Sequence, residues 1–188
     1  FAGEVEKITE KSVDVINSTN FTYDWRGDYD MSNESQKDEA INIIVDIGEE
    51  FRDYKNSLFP MLSDTVYLYV LYLRGVIMEN DNEIPGMVFS ADAICIFPES
   101  LDDIDRFLRG NVKEARKNAE TTVLLHEFGH LLGLVHRESR DHGYHCSDPS
   151  CVMYWKLSWS KNRSYSEYRD GYKDFCGDCE EELESYRY

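Results

Sequence analysis

All five histidines of this chain fall between positions 126 and 145, and three of them stand in the string HEFGHLLGLVH. His126 and His130 are four residues apart, so on a helix they share a face and their imidazoles can reach one ion. The surrounding pattern predicts that helix over 119–132, with Val123, Leu124, Leu131 and Leu132 as candidates for burial. Gly133 is placed to end it, because glycine takes the left-handed conformation at a helix C-terminus without strain. The chain then turns, and His136 can swing in as a third ligand. Three protein ligands leave a fourth position for water, the arrangement of a catalytic zinc, which lowers that water's pKa toward about 7. Glu127, next to the first ligand, can reach the water without ligating, take its proton and pass it to a leaving amine. A bare HExxH also arises by chance in helices; the longer string, with Gly133 and His136 at fixed offsets, is far more specific. His142 and His145 fit a surface or supporting role, or an alternative third ligand.

Cysteine usage is uneven. Cys95 stands alone in an apolar run and is expected as a buried core thiol. Cys146, Cys151, Cys176 and Cys179 all lie in the last quarter of the chain. Residues 134–188 are rich in Tyr, Ser, Asp and Gly, with little periodicity. Such a stretch lacks the apolar content for a large core and needs cross-links or metal to hold it. The two close cysteine pairs, with 24 residues between Cys151 and Cys176, fit tetrahedral zinc–thiolate geometry. They also fit disulfides, within or across the pairs, in an oxidising compartment.

Upstream, Ala40, Ile44, Ile47, Phe51 and Tyr54 are spaced four, three, four and three. That spacing predicts a helix over about 38–56 with one apolar stripe. Residues 65–73 (TVYLYVLYL) and 87–97 (MVFSADAICIF) predict strands, and 80–86 (NDNEIPG) a turn-rich loop. Residues 101–117 form a charged, helix-compatible connection, and 12–16 suggest a short strand within a polar N-terminal stretch.

HExxHxxGxxH is the signature of the metzincins, and residues 119–136 resemble their active-site helix and the loop that follows. Metzincins also carry a methionine turn beneath the zinc. Met153, 17 residues after His136 in CVMYW, is similar to it; ordinary core packing is the plainer reading of the same side chain. Within that clan the chain is most similar to the archaemetzincins, which have Cys-x4-Cys-x-Met after the third histidine and a Cys-x-x-Cys pair further on. Cys146, Cys151 and Met153, then Cys176 and Cys179, match in order and spacing, and the match spans about 121–179. In that family the four cysteines hold a second, structural zinc. The resemblance therefore implies two zinc ions, a catalytic one on His126, His130 and His136 and a structural one on Cys146, Cys151, Cys176 and Cys179.

Two departures stand out. Nine residues, 137–145, separate His136 from Cys146, where archaemetzincins have none, and the stretch from Met153 to Cys176 is longer than usual. A divergent archaemetzincin and a separate metzincin branch with a similar cysteine cluster both fit. Astacins fit less well. Where they carry a glutamate after the third histidine and a zinc-reaching tyrosine, this chain has Arg137 and Trp155. Tyr154 is one residue off that register and is assigned no ligand role.

What the resemblance implies for the fold is an α+β, metzincin-like single catalytic domain over 1–188. Its upper lobe, about 1–133, would hold a twisted, mostly parallel sheet with two long helices. A small irregular C-terminal lobe, about 134–188, would follow. A peptide or protein substrate would lie extended in the cleft, and the 87–97 strand could be the sheet edge that pairs with it. The implied activity is that of a zinc-dependent peptidase with Glu127 as general base. The alternative is a catalytically inactive zinc-binding interaction protein stabilised by the four-cysteine site; such a protein would be free to lose Glu127.

Charge narrows the partners. With 37 acids against 20 bases the net charge is −17, which repels phosphate backbones and disfavours nucleic acid. No apolar run approaches the roughly 20 residues that span a bilayer, and a monomer is expected. Localisation signals conflict. Four of ten asparagines (Asn17, Asn20, Asn33 and Asn162) sit in N-glycosylation sequons, and the chain begins at Phe1 rather than Met, which together suggest export after removal of an upstream segment. The archaemetzincin resemblance implies an intracellular protein.

Overall fold

The computed structural model describes residues 2–9, 28–30, 33–58, 67–79, 82–102, 112–135, 143–154, 168 and 171–186. In chain order the elements are α1 (Ala2–Thr9), β1 (Tyr29–Asp30), α2 (Glu34–Leu58), β2 (Tyr69–Tyr72), β3 (Ile77–Glu79), β4 (Asn82–Ile84), β5 (Gly86–Ser90) and β6 (Ala93–Ile96). A 3-10 turn (Pro98–Leu101), α3 (Val112–Leu131) and α4 (Gly177–Tyr186) complete them. The architecture is α+β. The chain divides into two compact units, Phe1–Val15 with Leu101–Tyr188, and Ile16–Ser100. Gly133, expected as a lobe boundary, lies inside the first. No described helix is long and apolar enough to cross a membrane.

In the unit Ile16–Ser100, α2 starts at an asparagine cap. The Asn33 side-chain oxygen accepts the N–H groups of Ser35 at 3.1 Å and Gln36 at 3.4 Å, satisfying donors that the helix itself leaves without acceptors. The apolar stripe is where the spacing puts it. Ala40, Ile44 and Ile47 are fully buried and pack with Leu71, Leu73, Ile77, Cys95 and Phe97. Each leucine, isoleucine or phenylalanine among them contributes about 1.5–3 kcal/mol by leaving water. Gly48 admits a neighbour, since a Cβ there would run into the Phe89 ring.

The sheet differs from the expectation. Among the described residues there are two three-stranded mixed sheets, of order β1-β3-β4 and β2-β6-β5, not one mostly parallel sheet. In each, one pair is parallel (β1 with β3, β2 with β6) and one antiparallel (β3 with β4, β5 with β6). The 80–86 stretch is not all loop, because Asn82–Ile84 pairs with β3. The 87–97 run is a hairpin, turning at Ala91 and Asp92. The turn is fastened by Asp92, which accepts the Ser90 hydroxyl at 2.7 Å and pairs with Arg52 at 3.1 Å. β6 is thereby the middle strand, hydrogen-bonded on both sides, and cannot be a substrate-pairing edge; β5 lies at the edge of the described sheet. The strand expected at 12–16 lies outside the described residues.

The other unit is organised by α3, which begins seven residues earlier than predicted. Its end follows the predicted reason. Leu134 N–H donates to Gly129 carbonyl at 3.0 Å and Gly133 N–H to His130 carbonyl at 3.0 Å, with Gly133 at φ 77°. This is a Schellman cap, in which glycine in the left-handed region satisfies the last carbonyls. Val123 and Leu124 are buried as expected, while Leu131 and Leu132 are half-buried. The short helix α1, with Val5 buried, had no periodic signal in the sequence.

Candidate metal centres

Asn118, Thr122, His126 and His130 recur every four residues along α3, so they form one polar stripe on a helix whose other positions here are largely buried apolar side chains. The first half of the stripe is a docking rail. Asn118 Nδ2 donates to the Tyr168 carbonyl at 2.7 Å, and Lys173 N–H donates to Thr122 Oγ1 at 3.1 Å. Both polar side chains are buried, so these bonds meet a requirement that burial would otherwise leave costly. The bonds fasten Tyr168 and Lys173 to the helix. Asp174 carbonyl then accepts the Val152 N–H at 2.8 Å, which brings the two cysteine-bearing segments together.

The second half of the stripe is the histidine site. His126 Nδ1–H donates to the Val152 carbonyl at 2.7 Å. In that tautomer Nε2 carries the lone pair, and it lies 3.1 Å from His130 Nε2. A backbone carbonyl that holds Nδ1–H and so aims Nε2 is a recurrent feature of metal-binding histidines. Burial, and next the neighbouring His130, push the His126 pKa down to about 3, so the ring is neutral, the form that ligates. Met153 lies fully buried against Gly129, which stands between the two histidines in sequence; a Cβ on Gly129 would collide with the Met153 Sδ. Glycine at the fourth position of HEFGH thus lets the methionine pack as a base under the site. Glu127, adjacent to His126 in sequence, is buried.

A third imidazole joins them. The ligand atoms of His126, His130 and His145 all lie within 4.8 Å of one another. His145 stacks on His126 with ring centroids 5.2 Å apart and meets His130 edge-on at 4.9 Å. His136 and His142 lie outside the described residues. The chain leading to His136 is constrained up to its last described residue. Val135, a β-branched residue, sits at φ 60°, a conformation that persists only where surroundings impose it. Its N–H donates to Glu182 Oε1 of α4 at 3.2 Å.

The four cysteines form a second group. Their sulfurs all lie within 4.8 Å of one another, and none is bonded to another. The close contacts run across the pairs, Cys146 to Cys176 and Cys151 to Cys179, each at 3.7 Å. Thiolates at about 2.3 Å from one tetrahedral zinc stand about 3.8 Å apart, whereas a disulfide needs about 2.05 Å. Backbone donors surround the sulfurs. Asp148 N–H points at Cys146 Sγ, while Met153 and Cys176 N–H point at Cys151 Sγ, each at 3.4 Å. The Cys179 thiol, donating to Cys151, is the main cause that lowers the Cys151 pKa to about 6; those amides add to it. Cys179, holding that shared proton, is raised, and burial raises Cys146 to about 11. Cys151 is thus the readiest of the four to ionise, and the cluster gives up protons when a cation enters.

Of the site residues expected from the sequence, His126 and His130 come together with Glu127 alongside and Met153 beneath, and all four cysteines converge. Sequence reasoning missed Asn118, Thr122, the Val152 carbonyl and Glu182, and it gave His145 no firm role. The four-residue recurrence of Asn118 and Thr122 with the histidines was a signal that could have found the first two. A backbone carbonyl leaves no such trace.

The described residues thus define an α+β protein with two groups of side chains that could each hold a metal ion, one of imidazoles and one of thiols. No protein-family model, curated protein or solved structure matches the chain.

Proposed function

We propose that this chain is a zinc-dependent peptidase with two zinc ions, one catalytic and one structural, as its metzincin-like motif implies. The observation that carries the reading is the seating of HEFGH. His126 and His130 aim their Nε2 atoms together, Val152 fixes the tautomer of the first, and Met153 fills the space that Gly129 leaves. Neutral imidazoles suit zinc, and four thiols at tetrahedral spacing suit a closed structural zinc. The resemblance gives the third ligand position to His136; one ligand besides His126 and His130 leaves the fourth position open.

A zinc ion held there supplies a Lewis acid that polarises a peptide carbonyl and makes water acidic near neutral pH. The chain's own residues do the rest. Glu127, one residue from a ligand, takes the proton of the attacking water and passes it to the departing amine. Val152 keeps His126 in the ligating tautomer, and Met153 keeps the helix face from shifting. The acidic surface keeps nucleic acid away, and the substrate is a peptide.

The test is metal analysis and peptide hydrolysis on purified protein, wild type beside Glu127→Ala. Hydrolysis by the wild type, lost in the variant at unchanged zinc content, supports the reading. Zinc binding with no hydrolysis of a mixed peptide pool by the wild type would leave an inert zinc-binding protein in its place.

A further inference from the structure

We propose that His145 is the third ligand of the ion held by His126 and His130, in the place the HEFGHLLGLVH motif gives to His136, so that the fourth position stays open; the inference rests on the reading that zinc binds this pair. His145 arrives from the cysteine loop, not from α3. Gly143 at φ 53° and Tyr144 at φ 70° are consecutive left-handed residues that turn the chain sharply ahead of it. Tyr144 holds that costly conformation although its side chain is 61% exposed, so burial of the tyrosine is not what imposes it. The two left-handed residues set the turn from which His145 follows.

Both sides of His145 are pinned. Its Nδ1–H donates to the Gly143 carbonyl at 3.0 Å, the same device that fixes His126, so its Nε2 carries the lone pair. The following residue is anchored by Cys146 N–H donating to Met153 carbonyl at 2.7 Å, in a parallel bridge between Cys146 and Tyr154. The pair of segments so joined presents three things to α3: the Val152 carbonyl to His126, Met153 to Gly129, and the His145 ring to both histidines. The ligand atoms of the three imidazoles crowd within 4.8 Å of one another, a spacing at which one cation can meet all three. Because His145 is bonded to Cys146, the ligand of one ion is the neighbour in sequence of a ligand of the other.

The experiment is a zinc titration of the histidine site against a competing chelator, with the cysteine site kept loaded, on wild type, His145→Ala and His145→Gln. Glutamine keeps a polar chain of comparable length without an imidazole nitrogen. Loss of an outer partner of a ligand typically costs about 10- to 100-fold in affinity, so loss of a ligand should weaken zinc at least about tenfold in both variants. With Co(II) in the histidine site and zinc in the other, the visible band should shift in both. Unchanged affinity and an unchanged band in the two variants would overturn the proposal. A wild-type chain that takes up no ion at the histidine site would overturn the zinc reading itself, and this inference with it.

Discussion

The cysteine cluster and the histidine site are built from overlapping chain but by opposite means. The cysteine cluster is assembled from the 146–151 loop, Cys176 and the first turn of α4, and backbone amides point at two of its sulfurs, those of Cys146 and Cys151. The histidine site sets two imidazoles on the rigid face of α3 beside His145 from the cysteine loop, and backbone carbonyls hold His126 and His145. Amides pointed at sulfur favour thiolate; carbonyls pointed at Nδ1 hold the proton there and leave Nε2 outward, while burial keeps His126 neutral. The same polypeptide backbone, turned one way or the other, prepares two donor sets for a cation. Thiolates close around an ion and stay, while imidazoles with one position left over can exchange water and substrate.

The largest effect that separates the two sites should come from Glu127→Ala. Hydrolysis should fall by about 100- to 10,000-fold with both ions retained, because no ligand is touched. A small effect on turnover would take this carboxylate out of the chemistry. Next is Cys179→Ser. Removing a thiolate from a closed site should release its zinc and cost several kcal/mol of stability. It should also weaken the histidine site, because Val152, Met153 and His145 are carried by the cysteine loop. Circular-dichroism melting with metal counts reads both, and a normal histidine site in this variant would break the link between the two.

A smaller effect should come from Gly129→Ala. The added methyl meets Met153 Sδ in a fully buried setting, and overpacking of this kind costs about 1–3 kcal/mol. Chemical denaturation measures it, with the cysteine-site zinc unaffected. The last, spread over several pH units, concerns pH. With the cysteine site loaded and the histidine site stripped, His126 binds no proton in the folded chain until about pH 3, but the unfolded chain binds one near 6.5. The unfolded state thus holds more protons between these values. The contribution of His126 to stability is full above the unfolded value and should fall by about 1 kcal/mol per pH unit as the pH drops toward the folded one. His126→Asn should flatten that slope.

The two regions were unequally legible in the sequence. Features that repeat along one helix were plain. The 3.6-residue period of Ala40, Ile44 and Ile47 placed α2, and the i, i+4 spacing placed His126 and His130. Gly133 marked the end of α3 because its left-handed cap needs a residue without a side chain. The four cysteines were found by spacing, yet spacing could not choose between zinc and disulfide; that choice depends on distances and amide directions. The hairpin within 87–97 was hidden because both arms are apolar and its turn, Ala91–Asp92, lacks the glycine that usually signals one. His145 was undervalued because its place depends on two left-handed residues and on a bridge between Cys146 and Tyr154, neither of which shows in a local pattern. The expected third ligand, His136, lies outside the described residues.

The central claim, that one chain holds two zinc ions of different kinds and hydrolyses peptides at the exchangeable one, is most directly tested by a single chelation series. Protein purified without oxidant is treated with increasing chelator while zinc per chain, free thiols and peptide hydrolysis are followed together. The account predicts two zinc ions at the start, loss of the first in step with loss of hydrolysis, and loss of the second only later, as four thiols become reactive. One zinc per chain with no reactive thiols at Cys146, Cys151, Cys176 and Cys179 would contradict it and make disulfides the staples of the cysteine loop.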